Sequence, residues 1–268
     1  MRRRSYGLIV AVFLLSLARL SADAVLVPIP EIVSTGAGLT EAATDVSFLL
    51  ISAPAGVPVT TFDGYGNILD PVFANVICST VGCNGSGIPA FPFNGFWIPD
   101  DASSQWDGVN AVQYGDIGAG VTPGSGTGVT TGDPAGWYDF RIYFYVPAEG
   151  VSTVTITGSW SADNLGAIYL NDPGTFSSGA IATINDPWGF QSLLSFNITT
   201  GFVAGINYLD IMVYNLPQTL GNPVGFRVDW SGTYTIPGAL VTPEPGTAGL
   251  WLAGLAALGL LRRRRRTS

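Results

Sequence analysis

Almost all the side chains that could do chemistry in this sequence are carboxylates. The 268 residues include 19 Asp and Glu but no histidine, and all 11 basic residues are arginines. Serine and cysteine nucleophiles therefore lack a histidine or lysine base, and histidine-ligated zinc and Schiff-base chemistry are excluded. A carboxylate pair of the glycosidase type remains, but a sequence cannot give the separation that it needs. We therefore predict no catalytic residues and a protein that is not an enzyme.

Two tryptophans and two aspartates form a candidate ligand contact. Trp97 and Trp106 flank Asp100 and Asp101. Gly, Pro and Asn occur throughout residues 84–114, so we predict elaborated loops there. Aromatic faces with carboxylates at their rim could contact a glycan. In the alternative, which we prefer, both indoles pack beneath a long loop.

A second group of polar side chains could bind a cation. Asp163 and Asn164, with Asp172 beyond the next predicted strand, carry oxygen atoms that could form part of a structural calcium site. Asp and Asn also satisfy backbone groups in turns, and we expect this plainer role. Arg141 and Arg227 each lie two residues from an aspartate, and we expect them to form ion pairs with carboxylates.

The start of the chain is typical of a secretory signal peptide. Three arginines at positions 2–4 precede an apolar stretch over residues 6–17, and Ala22-Asp23-Ala24 offers a site for signal peptidase. We predict a signal helix within residues 1–24 and a mature chain that begins at Val25.

The end of the chain combines a short polar motif, an apolar run and a basic cluster. The apolar run over residues 247–261 has no charge and is shorter than the roughly 20 residues that span a bilayer comfortably. The arginines that follow would stay on the cytoplasmic side and stop translocation. The motif and the basic cluster consist of Pro243, Glu244, Pro245, Arg262, Arg263, Arg264, Arg265 and Arg266.

This tail, residues 241–268, resembles the PEP-CTERM sorting signal. The resemblance implies processing by an exosortase, a membrane protease of Gram-negative bacteria that make exopolysaccharide and grow as biofilms. It also implies transient insertion of the C-terminal helix in the inner membrane, followed by delivery to the cell surface or extracellular matrix. The alternative is an ordinary C-terminal membrane anchor.

The body, residues 25–240, is strongly acidic. It holds 17 acidic residues against two arginines. A nucleic-acid partner is therefore excluded, and polyanionic polymers would be repelled. Neutral glycans, proteins or divalent cations are the better candidates for partners.

The two cysteines, Cys78 and Cys83, enclose a four-residue turn-rich segment. In an exported protein we expect them to form a disulfide that closes a small surface loop and adds little stability. A redox-active or metal-binding pair is the alternative, although the spacing is not Cys-x-x-Cys.

The sequence after residue 136 alternates between apolar and polar residues with the period of a β-strand. Phe140, Ile142, Phe144 and Val146 alternate with Asp139, Arg141, Tyr143 and Tyr145. Similar alternation recurs around residues 154–160, 209–214 and 224–231. We predict an all-β protein, an antiparallel β-sandwich of one domain with long loops and two solvent-exposed outer faces.

Residues 137–234 show a second resemblance. The segments that begin at Trp160, Ile168, Phe196 and Pro223 resemble the jelly-roll module of many PEP-CTERM proteins, which is similar to galactose-binding-like domains. A shared fold does not imply sugar binding, because function depends on the site. Two functions therefore remain: a structural or adhesive protein of the cell surface or matrix, or a non-catalytic module that binds an extracellular polysaccharide.

Overall fold

A computed structural model describes residues 24–79, 97–111, 133–176, 179–217 and 222–238. The predicted N-terminal signal helix and the C-terminal apolar helix lie outside these residues. A search of the described residues finds no helix that is long and apolar enough to cross a membrane. The strands form one compact unit over Leu26–Thr235.

The described residues are built almost entirely from strands. In chain order these are β1 (Val25–Pro28), β2 (Thr44–Ser52), β3 (Thr61–Phe62), β4 (Ile68–Asp70), β5 (Phe73–Val76), β6 (Asp107–Gly108), β7 (Gly136–Val146), β8 (Thr155–Asp163), β9 (Leu165–Leu170), β10 (Ala182–Ile184), β11 (Leu194–Ile198), β12 (Gly205–Asn215) and β13 (Gly225–Ile236). Two short 3-10 helices occupy Val151–Thr153 and Gly189–Gln191. The pairings among β2 to β13 are antiparallel, as predicted.

One large sheet folds over on itself to form the sandwich. Its hydrogen-bonded order is β10-β9-β12-β7-β2-β5-β6-β13-β8-β11, with β1 also on β13, and β3 and β4 form a separate hairpin. The ring of Phe140 on β7 nevertheless lies 4.5 Å from the ring of Phe226 on β13. Because β2, β5 and β6 intervene in the hydrogen-bonded order, this contact requires two facing layers. The predicted β-sandwich is confirmed.

The core consists of the inward-facing residues that the alternation predicts. Phe48 on β2 packs edge-on against Phe226 at 5.3 Å and joins the same cluster. β-Branched and aromatic residues dominate these strands because they pack well on a pleated surface. The buried inward-facing set is Phe140, Ile142, Phe144, Val146, Ile156, Trp160, Leu209, Ile211, Val213, Phe226, Val228 and Trp230.

The prediction of two solvent-exposed outer faces is wrong. Arg227 on the outer face of β13 is only 2 % exposed, because residues 97–106 cover it. We call these residues the covering segment. The Nε of Arg227 donates to Ser104 Oγ at 2.8 Å, and its other nitrogens bond to the Pro99 carbonyl and the Asp101 carboxylate. Two residues on the outer face of the other layer, Asp139 and Asp210, are also buried. Much of the polar strand face is therefore covered by protein.

Candidate functional site

An open groove lies where the β3–β4 hairpin approaches the outer face of β7. Its volume is about 450 Å³, which is within the range of small-ligand sites. Its walls are mostly apolar, with one carboxylate and one amide among the side chains. The lining residues are Glu31, Phe62, Gly66, Asn67, Ile68, Tyr143, Phe144, Tyr145 and Ile206.

Strand geometry explains how two tyrosines come to line this groove. Tyr143 and Tyr145 point to the opposite face of β7 from Phe144, which is buried in the core. Ile206 on β12 is the direct cross-strand partner of Tyr145. Tyr145 is 56 % exposed and Ile206 is more exposed still, so both offer apolar surface to a ligand.

The opposite wall of the groove is a hairpin whose turn is held by a carboxylate. Asp63 Oδ1 accepts hydrogen bonds from the amides of Tyr65 and Asn67 at 2.8 and 2.9 Å. Gly66 has a φ of 85°, which an L-residue rarely adopts. This turn sets Phe62 opposite Ile68, and both side chains face the groove.

A buried ion pair lies beside the groove and shares Tyr143 with it. Arg141 donates to both oxygens of Asp210, from Nε at 2.5 Å and from a terminal nitrogen at 3.1 Å. Its guanidinium lies 4.1 Å from the centre of the Tyr208 ring. A further hydrogen bond of 3.4 Å reaches the hydroxyl of Tyr143. The pair therefore orients a tyrosine of the groove wall.

A second buried carboxyl group, that of Asp139, lies close to Asp210. Its Oδ1 has no hydrogen-bond partner within the described residues. Burial first, and then the charge of Asp210, raise the pKa of Asp139 to about 8. Burial also raises the pKa of Asp210, and the ion pair with Arg141 opposes that rise. Neither carboxyl group reaches solvent, so this pair cannot flank a substrate as the two acids of a glycosidase do.

Trp97, Asp100, Asp101 and Trp106, the candidate glycan contact, lie in the packed arrangement that we preferred. Both indoles are buried and pack against each other with ring centroids 4.1 Å apart. Asp100 accepts a hydrogen bond from the Trp106 amide, and Asp101 pairs with Arg227. The two tryptophans belong to the covering segment and form a small second core with Ile77 and Phe190. They therefore offer no ring face to a ligand.

The carboxylates of this segment are perturbed in opposite directions. Burial raises the pKa of Asp100 to about 6. Desolvation also opposes the ionisation of Asp101, but hydrogen bonds from Ser103 and Ser104 lower the pKa of its carboxyl to about 2. Asp101 therefore stays charged opposite Arg227 over the whole range of ordinary pH.

The structure does not bring together Asp163, Asn164 and Asp172, the candidate calcium ligands. The first two residues precede β9 and Asp172 follows it, so the strand separates them by roughly 20 Å. Asp163 accepts a hydrogen bond from Trp97 Nε1 at 3.1 Å. Asp172 Oδ1 accepts from the amides of Gly174 and Thr175, which is the turn role. Across the described ranges, no three or more Asp, Glu, Cys or His side chains converge to hold a metal ion.

Cys78 lies buried just after β5, where its amide donates to the carbonyl of Ala111 at 2.8 Å. Cys83 lies outside the described residues, so the disulfide stays a prediction. The sorting residues Pro243, Glu244, Pro245 and Arg262 to Arg266 also lie outside them.

The chain carries a PEP-CTERM sorting signal. The family model described as the PEP-CTERM protein-sorting motif matches residues 241–266, which include the polar motif and all five arginines. The motif marks an exported protein that is sorted by an exosortase. The predicted resemblance is confirmed.

Comparison of the body with known proteins yields only distant likeness. No curated protein matches the chain. A protein assigned as a beta-galactosidase from Bacteroides fragilis is similar over 39 % of this chain and 16 % of its own, at 15 % identity and a TM-score of 0.30. A beta-glucuronidase from an uncultured Clostridium species covers 39 % of this chain and 20 % of its own, at 16 % identity and a TM-score of 0.26. The chain therefore spans a small fraction of these glycosidases, and likeness at this level carries no argument about its activity.

Proposed function

We propose that this protein is a non-catalytic structural or adhesive component of the cell surface or extracellular matrix of a Gram-negative bacterium. The sorting motif at residues 241–266 is the observation that carries this proposal. The rest of the chain suits the role, because a sandwich with a well-packed apolar core is a stable body to retain outside the cell. Exopolysaccharide is the surrounding polymer that the sorting signal suggests.

A deletion and rescue experiment tests this role. Loss of the gene should weaken the cohesion of the biofilm, and the intact chain should restore it. A chain that lacks Arg262 to Arg266 should not restore it, because it would not be retained correctly. Full rescue by the truncated chain would contradict a role that depends on sorting.

The groove supports a second candidate function, binding of a neutral glycan. Tyr143, Tyr145 and Phe62 offer apolar surface of the kind that packs on the C–H faces of sugar rings, and Glu31 and Asn67 could bond to hydroxyl groups. Both arginines of the described residues are engaged with carboxylates. The body therefore has no free cation in the described region to attract an anionic polysaccharide, and a neutral one is favoured.

A glycan array with the full chain tests this candidate. Tyr145→Ala should abolish binding to a neutral glycan, because it removes the most exposed ring of the groove. Trp188→Ala is a matched control, since Trp188 is also 56 % exposed but does not line the groove. Equal losses in the two variants, or no binding by the intact chain, would refute the glycan function and leave the structural role.

A further inference from the structure

The buried carboxyl group of Asp107 belongs neither to the groove nor to the two ion pairs of Arg141 and Arg227. Asp107 lies in β6, the two-residue strand that pairs with both β5 and β13, and it is 0 % exposed. Neither of its carboxylate oxygens has a hydrogen-bond partner within the described residues. Buried polar atoms are nearly always satisfied, and a buried charge without a partner is costly. Within the described residues, Asp107 therefore needs a proton or a bound ligand to satisfy its carboxyl group.

A second buried carboxyl group faces the first. The Asp45 carboxyl lies within hydrogen-bonding reach of the Asp107 carboxyl and is itself 3 % exposed. Asp45 Oδ2 accepts from the Gly36 amide at 2.8 Å, and its Oδ1 accepts from the Ser47 amide at 2.9 Å. These two hydrogen bonds fix the position of the Asp45 carboxyl group. The two acids come from β2 and β6, so the pair connects different parts of the folded sheet.

Further negative charge lies close by, and the positive charge of the described chain is engaged elsewhere. Asp100 is near enough to act electrostatically on Asp107, and its Oδ2 is also buried without a partner. Arg227 bonds to Asp101, Ser104 and Pro99. Arg141 pairs with Asp210 on the other layer. In the described residues, the compensating charge must therefore be a proton or a bound cation.

The two orphaned oxygens of Asp107 distinguish these possibilities. A proton shared with Asp45 satisfies one oxygen of Asp107 and leaves the other with only the Gly36 amide nearby, which already bonds to Asp45. A cation that both oxygens coordinate satisfies both, and it also neutralises Asp45. Carboxylate oxygens are hard ligands, which suit calcium.

We propose that Asp107 and Asp45 bind a structural calcium ion. Because no three acidic side chains converge within the described ranges, backbone oxygens, neutral side chains or water would complete the shell. Calcium accepts such ligands readily, since it takes six to eight oxygens in a flexible arrangement. The ion would join β2 to the β6–β13 pairing and would stabilise the covering segment that buries Trp106. This site is separate from the groove, so a test of calcium binding does not depend on whether the groove binds a glycan.

The test is calcium-dependent thermal unfolding of the full chain after treatment with a chelator. The chelated chain should gain about 5–10 °C in Tm when calcium reaches roughly one hundred times its Kd, because a ligand that binds only the folded state stabilises it. Metal analysis of the untreated chain by mass spectrometry should find one calcium ion per chain. Magnesium at equal concentration should have a smaller effect, since it demands a stricter geometry.

Two variants and one control assign the effect to the proposed residues. Asp107→Asn and Asp45→Asn should lose the calcium response, and Asp107→Asn should unfold at a higher temperature than the chelated wild type, because it removes an uncompensated charge. Asp70→Asn alters an exposed aspartate and should keep the full response.

If the wild-type Tm does not respond to calcium and no metal is found, the proposal is wrong and the pair shares a proton. An undiminished response in Asp107→Asn would also overturn it, and if that variant does not fold, the metal content and Tm of the wild type decide.

Discussion

The side chain of Phe140 on β7 packs against that of Phe226 on β13 across the sandwich, with ring centroids 4.5 Å apart and both rings fully buried. This contact joins the two layers at their centre. Phe226→Ala should therefore lower the free energy of unfolding by about 3–5 kcal/mol, the usual cost of truncating a buried phenylalanine. Thr155→Ala, at a half-buried position on β8, should cost about 0.5 kcal/mol. Urea denaturation of both variants measures the difference, and similar losses would contradict this picture of the core.

Removing the charge of Arg141 should destabilise the protein strongly. Asp210 is fully buried, so Arg141→Met leaves a carboxylate without its partner, which costs about 3–5 kcal/mol. Asp101→Ala breaks the other ion pair, but the Asp101 side chain is 54 % exposed and the buried Arg227 keeps its hydrogen bonds to Ser104 and Pro99, so we expect a smaller loss than in Arg141→Met. Chemical denaturation compares the two. The double variant Arg141→Met, Asp210→Leu should recover much of the loss, and failure to recover any would contradict the explanation by an unpaired charge.

The burial of Asp139 predicts a pH dependence of stability. Its pKa is about 8 in the folded protein against an ordinary value of 3.8, so the folded state binds a proton that the unfolded state has released. Stability should therefore fall as the pH rises from about 4 to about 8, by up to about 1.4 kcal/mol per pH unit from this group. Asp139→Asn should remove this contribution, whereas Asp186→Asn at an exposed site should retain it. Urea melts at a series of pH values would contradict the assignment if the two variants behaved alike.

The second half of the fold could be predicted from the sequence because its strands alternate clearly. The residues that alternate on β7, β12 and β13 are buried as expected. The covering segment could not be predicted, because isolated aromatics such as Trp97 and Trp106 look the same in sequence whether they pack inside or face a ligand. Asp163 and Asp172 could not be judged either, since their separation depends on the length of β9.

The groove was missed for a related reason. The alternation on β7 does place Tyr143 and Tyr145 on the outer face, which was visible in the sequence. Ile206 and the β3–β4 hairpin complete the groove through contacts that depend on tertiary structure. Asp45 and Asp107 likewise carry no local signal, because they are 62 positions apart in the sequence. Their strands come together because β5 pairs with both β2 and β6.

The predicted disulfide between Cys78 and Cys83 has a direct chemical test. Alkylation without reductant should leave the intact mass unchanged, because paired cysteines do not react. The same treatment after reduction should modify both residues. Loss of the bridge should cost little stability, since the loop it closes is short. Two modified cysteines without reductant would contradict the prediction.

The mass of the mature protein tests the central claim, export followed by processing at the C-terminal sorting signal. The chain recovered from the surface of an exosortase-bearing host should lack residues 1–24 and the arginines of residues 262–266. Glu244→Ala should instead accumulate as a precursor that retains the arginine cluster, whereas Glu149→Ala, in the body, should be processed normally. A Glu244→Ala protein with the same mature mass as the wild type, apart from any retained substitution, would contradict the account.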